Sequence, residues 1–218
     1  MNKYRILGPV PLFLTVQGVL WLRIVYLDTC RGGAGATLLR YVGVALCAAL
    51  ALYGACRGGG RLMAAALALT LAADTWLVLL DRSYLWGVCL FCGVQGLYLG
   101  KIARINGGRT LWPVRLGLSL GVLALLAALG QLDPLSGLSV VYFVNFACNA
   151  AQSWALPGER LFSLGLTLFL CCDACVGVFN RPALFPPALS AFAQTGMWLF
   201  YLPGQVLLAL SGLSRSSR

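Results

Sequence analysis

The chain has 218 residues and a formal net charge of +10, yet only 10% of its residues are charged and 60% are hydrophobic, for a mean hydropathy of +0.86. That is too little charge to cover a water-soluble domain of this size. The apolar runs are continuous rather than alternating, which excludes a transmembrane β-barrel. The surplus positive charge lies between the runs, where it sets membrane topology, so it is not read as a nucleic-acid surface.

Runs of about 17 to 25 apolar residues span a bilayer as helices. Eight are expected, at 9–27, 38–56, 62–80, 84–103, 112–132, 136–156, 161–179 and 186–211. The first could imitate a secretion signal. It has no small-residue cleavage site ahead of a soluble domain, so it reads as the first span. The breaks RGGAG, RGGGR, DRS, ARINGGR, LDPLSG, LPGER and NRPALFPP are rich in Gly, Pro or charge. Pro113 and Pro186 suit first helical turns, and Pro203 predicts a kink in the last span. The expected fold is an all-α polytopic membrane protein, one transmembrane domain over 1–218.

Counting cations orients it. Lys3, Arg5, Arg57, Arg61, Lys101, Arg104, Arg109, Arg115, Arg160, Arg215 and Arg218 fall on one side. Arg31, Arg40, Arg82 and Arg181 fall on the other. Eleven against four places both termini in the cytoplasm of a multi-pass cell-membrane protein. Arg23 lies inside the first span and is left out. It can bind a lipid phosphate, pair with a carboxylate, or snorkel to the interface.

Two stretches repeat. RLMAAALALTLAADTWLVLLDR (61–82) and RLFSLGLTLFLCCDACVGVFNR (160–181) both begin Arg-Leu and end in Arg. Asp74 and Asp173 stand 99 residues apart at the same offset, and Gln95 and Gln194 share that displacement. Leucine matches between apolar segments mean nothing, but Asp and Gln are rare in spans. A shift of four spans preserves orientation. The expected architecture is therefore two parallel four-helix halves, about 9–103 and 112–211.

Each aspartate lies 13 residues beyond its leading arginine, or about 20 Å along a helix. In a core of about 30 Å both carboxylates sit at one level, nearer the outer face. Each costs about 2.5–3.5 kcal/mol to insert at mid-membrane. Two such costs at matched depth point to a polar interior site. Tyr142, Asn145, Asn149 and Gln152 follow a 3-4-3 spacing on one face of the sixth span. Gln95 and Tyr98 share a face of the fourth, and Gln194, Tyr201 and Gln205 recur along the eighth. Any single amide is explained by interhelical hydrogen bonding; their convergence on one cavity is the expectation that carries function.

The nine cysteines lie mostly within apolar segments, where cysteine usually packs as a small inert side chain. Cys89 and Cys92, and Cys172 and Cys175 beside Cys171, form C-x-x-C pairs that share a helix face and offer thiol or metal chemistry as a competing reading. There is no histidine, which removes the commonest general base and metal ligand. No metal or cofactor is expected.

The blocks ALTLAADTWLVLLDRSYLWGVCLFCGVQGLYL, RLFSLGLTLFLCCDACVGVF and FYLPGQVLLALS resemble the YhhN family of integral membrane lysoplasmalogenases. That family also has eight spans. Gln95 stands where its pattern has histidine, and the Lys-Pro that opens its second helix is missing, with Arg40 the nearest cation. This chain looks like a divergent member. The resemblance implies hydrolysis of the vinyl ether of a lysoplasmalogen, a lysophospholipid, to a fatty aldehyde and a glycerophospho-headgroup. Asp74 and Asp173 would be its acid–base pair: two carboxylates in one buried site do not both ionise readily, so one can deliver a proton while the other stabilises the cation and activates water. Gln95, Tyr98, Tyr142, Asn145, Asn149, Gln194, Tyr201, Gln205 and Arg23 would contact substrate. The other reading of an intramembrane aspartate pair is a proton- or cation-coupled carrier of a small solute.

Overall fold

The computed structural model describes residues 8–33, 35–82 and 84–213. Lys3, Arg5, Arg215 and Arg218, four of the topology-setting cations, lie outside the described residues. Among the described residues there is no strand; eight membrane-scale helices follow one another. They are α1 (Val10–Arg31), α2 (Thr37–Cys56), α3 (Arg61–Asp74, continued by a π-helical segment Thr75–Leu79), α4 (Tyr84–Ile105), α5 (Trp112–Ala128), α6 (Pro134–Ser153), α7 (Arg160–Asn180) and α8 (Pro187–Ser211). A single 3₁₀ turn, Pro182–Leu184, precedes α8.

Each expected span is a helix, and the chain is a polytopic helical membrane protein. Six helices are long and apolar enough to cross a bilayer by length and composition, α5 and α8 being the exceptions. α5 has only 17 residues, closing at Gly130 in a left-handed conformation (φ 65°) rather than running on to 132. α8 is the longest at 25 residues, and it carries Gln194, Pro203 and Gln205.

α5 also shows what solvent surrounds the bundle. Its only buried residues are Arg115 and Ser119, while Leu116, Leu118 and Leu120 are 59%, 51% and 56% exposed. A helix with its charge inside and its leucines outside is upside down for water and correct for lipid.

α8 is the hub, packing on α7, α1, α2 and α3. Its closest neighbour is α7, reached through two glycines: a Cβ on Gly165 would meet the Gly204 carbonyl at 3.1 Å and Leu208 at 2.8 Å, and one on Gly204 would meet the Phe169 amide at 3.1 Å. Small residues let backbones approach in membranes, where van der Waals packing drives association. Pro203 cannot donate to the Leu199 carbonyl one turn earlier. The Trp21 indole of α1 donates to that carbonyl instead, at 3.2 Å, so the proline becomes the docking point for α1.

Further contacts join α2 to α8 and α4 to α6, two pairings that a shift of four helices interchanges. α6 begins with a capping box. The Asp133 carboxylate accepts from the Ser136 and Leu135 amides at 3.0 and 2.9 Å, and the Ser136 hydroxyl accepts from the Asp133 amide at 2.9 Å. The Ser136 bonds foremost hold the Asp133 carboxyl below its usual range.

Candidate active site

α3 and α7 each begin on their arginine, Arg61 and Arg160, so both aspartates lie 13 residues into their helices. Each accepts a tyrosine hydroxyl. Tyr201 of α8 donates to Asp74 at 2.7 Å, and Tyr142 of α6 makes a short hydrogen bond to Asp173. Asp74 is 3% exposed and Asp173 is half-buried. The two carboxylates lie within electrostatic reach of each other. Cys172 and Tyr201 sense both of them. Aromatic rings wall the site in: Phe169 meets Phe91, Phe146 and Tyr201 edge-on, with centroids 5.8, 4.8 and 5.3 Å apart.

The polar face expected on α6 exists, but it is divided. Tyr142 reaches Asp173. Asn145, Asn149 and Gln152 do not line the carboxylates; they hold Arg115, which is 1% exposed. Its Nη1 donates to the Asn145 carbonyl and side chain at 3.0 and 3.2 Å, its Nη2 to Asn149 at 2.8 Å and to Gln152. Its Nε donates to the Thr110 carbonyl at 2.7 Å. All five donors are thereby used, as a buried guanidinium requires. Arg115 was expected among the loop cations. It is instead the clamp between α5 and α6.

Gln95 links this clamp to the site. Its Oε1 accepts from Asn149 at 3.0 Å, and its side chain meets the Tyr142 hydroxyl. Tyr98 and Gln205 are fully buried, at 0% exposure each. Two expected site residues stand elsewhere. Gln194 is exposed: it sits a helical step round from Ala193, on a flank of α8 that no neighbour covers. Arg23 is also exposed, with its guanidinium 5.5 Å from the Tyr26 ring centroid, on the outside of α1.

Sequence reasoning passed over two ion pairs, Lys101 with Glu159 at 2.7 Å and one beside the site. Asp28 near the end of α1 pairs with Arg40 in the first turn of α2. The Arg40 guanidinium lies 4.9 Å from the Trp198 ring centroid, and Trp198 stands edge-on to Tyr201 at 5.2 Å. A roof thus runs from the loop end of α1 and α2 down to Asp74. The available signal was Asp28 itself, an acid directly at the end of the first apolar run.

All nine cysteines are free thiols. Cys89 is exposed and Cys92 partly so, whereas Cys172 and Cys175 are buried. Among the described residues no three Cys, Asp or Glu side chains come together as metal ligands do.

The YhhN family profile matches residues 35–212. That interval holds both aspartates, both tyrosines and seven of the eight helices. The chain belongs to the YhhN family. No curated protein and no solved structure gives a match. Within this YhhN protein, only α1 lies outside the matched residues, and α1 contributes Trp21 and Asp28 rather than a carboxylate of the pair.

Proposed function

We propose that this YhhN protein hydrolyses the vinyl ether bond of lysoplasmalogens within the membrane. The family includes lysoplasmalogenases. The observation that carries the reading is the placing of Asp74 and Asp173 at one offset on two helices, each held by a tyrosine.

The chemistry needs one proton and one water. A protonated carboxyl delivers its proton to the β-carbon of the vinyl ether, leaving an oxocarbenium centre at the α-carbon. The ionised partner stabilises that cation and takes a proton from the attacking water. The hemiacetal then collapses. Its hydroxyl oxygen becomes the aldehyde carbonyl, and the ether oxygen leaves as the glycerol hydroxyl with the second proton. One carboxyl begins protonated and one ionised, and the pair ends as it began. Tyr201 and Tyr142 orient the carboxylates, and the surrounding Phe rings exclude bulk water.

The substrate enters laterally from the membrane, with its headgroup at the interface above the roof of Asp28 and Arg40. The two-half repeat belongs to the same reading, supported by the exchange of the α2–α8 and α4–α6 contacts. So does a cytoplasmic position for both termini, which rests on the charge bias.

The test is incubation of the purified protein with a lysoplasmalogen and, separately, with an ester lysolipid. The expected result is fatty aldehyde from the first and no fatty acid from the second. Ion-dependent solute flux in liposomes, with no aldehyde formed, would establish the carrier reading instead.

A further inference from the structure

Arg115 and Arg40 are both held against neighbouring helices, and they are used differently. Arg115 directs all five N–H donors at protein acceptors. Arg40, in the first turn of α2, donates to Asp28 from Nη2. Its Nε is sealed, while Nη1 is neither sealed nor bonded among the described residues. The Arg40 side chain is 18% exposed and that of Asp28 2%, so the cation is the accessible member of the pair.

The guanidinium is also fixed in place. Trp198 of α8 flanks it, with the ring centroid 4.9 Å away. Gly33 closes in from the α1–α2 turn in a left-handed conformation (φ 82°). A Cβ there would come within 3.2 Å of both Arg40 Nη2 and Asp28 Oδ1, but only within 3.9 Å of Nη1. The turn therefore covers the paired edge of the guanidinium more closely than the unpaired one.

An arginine held rigidly, with donors to spare, is suited to an oxyanion, because its planar fork matches phosphate geometry. Arg40 stands at the end of the bundle where α1 closes and α2 opens, the level of lipid headgroups. Trp198 stands edge-on to Tyr201 at 5.2 Å and precedes it by three residues, about 4.5 Å along α8. Tyr201 in turn holds Asp74. A phosphate on Arg40 thus leaves room for a three-carbon glycerol between itself and an ether bond at Asp74.

We propose that Arg40 binds the phosphate of the lysolipid, which selects a phospholipid over a neutral glycerol ether and sets the vinyl ether at the level of Asp74. The placing of the ether rests on the ether-hydrolase reading; the phosphate contact does not. Asp28 acts with the opposite sign. It keeps Arg40 in position and competes with the phosphate for its charge.

Binding is measured on the intact protein in a maltoside detergent, which brings no phosphate. The probes carry no vinyl ether: a saturated alkyl-ether lysophosphocholine, and the alkylglycerol of the same chain. The wild type should prefer the first by at least about 10-fold, as a hydrogen-bonded charge pair gives. Arg40→Gln should lose that preference and Arg40→Lys keep part of it. Asp28→Asn leaves Arg40 without its counter-charge and should raise it. The double variant Asp28→Asn with Arg40→Gln strands no buried charge, so it stands in if Arg40→Gln alone does not fold, and it too should show no preference.

Equal binding of the two lipids by the wild type, or a preference that survives without Arg40, overturns the proposal. So does a preference lost in Asp28→Asn, which would make the pair purely structural. Displacement of the lipid by equimolar inorganic phosphate would give the site to a free anion and overturn the lipid assignment. If the hydrolase reading holds, Arg40→Gln also raises KM for lysoplasmalogen by about 10-fold or more, with kcat changed less. A preference that follows Arg40 in a protein making no aldehyde leaves the phosphate contact standing and removes only its role in placing the ether.

Discussion

The helices that carry the two carboxylates start alike and end differently. α3 and α7 both open on an Arg-Leu pair and place an aspartate 13 residues later. Beyond Asp173, α7 stays α-helical to Asn180, whereas beyond Asp74, α3 passes at once into the π-helical Thr75–Leu79. The wider turn admits a close crossing with α4: a Cβ on Gly87 would lie 2.4 Å from Leu77. Such π segments are uncommon and often mark functional sites. The partners differ too. Asp173 is held by Tyr142 of α6, the helix just before its own, while Asp74 is held by Tyr201 of α8, 127 residues along the chain. A shared offset therefore fixes a shared position along each helix and leaves each carboxylate's surroundings to whatever packs against it.

The largest expected effect is one the two aspartates share. Asp74→Asn and Asp173→Asn each keep shape and hydrogen bonding but neither deliver a proton nor carry charge. Each should lower aldehyde formation by at least about 10²- to 10⁴-fold. The double variant should be little worse than either single, since the pair acts as a unit. Wild-type turnover in both singles would make the carboxylates structural.

The tyrosines separate the two sites. Tyr201→Phe strips a fully buried residue's carboxylate of its partner, while Tyr142→Phe strips that of a half-buried one. A hydrogen bond to a charged group contributes about 1.5–3 kcal/mol, so losses of roughly 10- to 100-fold in kcat are expected. Tyr201→Phe should be the worse of the two. Equal losses would mean that the difference in burial has no consequence for the chemistry.

A further contrast lies between the helix pairs α1–α2 and α5–α6. α5 is tied to α6 by the saturated Arg115. α1 is tied to α2 by the Asp28–Arg40 ion pair and, nearer its middle, by Gln17, which donates to the Gly43 carbonyl at 2.8 Å. Arg115→Met leaves several buried acceptors empty and should cost roughly 3–5 kcal/mol, as breaking a buried charged network does. Gln17→Met should cost about 1 kcal/mol. Thermal unfolding in detergent ranks them, and the reverse order would dismiss Arg115 as a clamp.

The smallest effect concerns how those same pairs are capped. α6 starts with the Asp133 box, but the residue before α2, Ala36, offers no side-chain cap. Asp133 lies below its ordinary value when folded. Its contribution is therefore present at neutral pH and is lost as pH falls through the depressed folded value. Asp133→Ala should lower Tm slightly at neutral pH and not at strongly acid pH. A deficit that persists in acid would mean that the cap is not electrostatic.

Much of this was legible in advance. Helix positions follow from apolar run length and from Gly, Pro and charge at the breaks, because a bilayer demands helices of one length and punctuates them with polar loops. The place of Asp74 and Asp173, 13 residues into each helix, follows from their offset. The polar face of α6 follows from its 3-4-3 spacing. Its use did not: the same spacing serves a carboxylate at Tyr142 and a guanidinium at Asn145, Asn149 and Gln152. Gln194 shows the converse, since helical spacing gives a shared face but not a neighbour to cover it.

The sequence by itself thus determined the solvent, the number of helices, and the position of two acids along their helices, all properties of one segment and its length. The tertiary structure alone decided that Tyr201 of α8 reaches Asp74 of α3, that Arg115 is spent inside α5–α6, that Trp21 takes the carbonyl freed by Pro203, and that Arg40 with Asp28 roofs the site. These depend on which helices become neighbours and how they rotate. Contacts between residues as far apart as 74 and 201 are fixed by packing of the whole bundle, which no local pattern encodes.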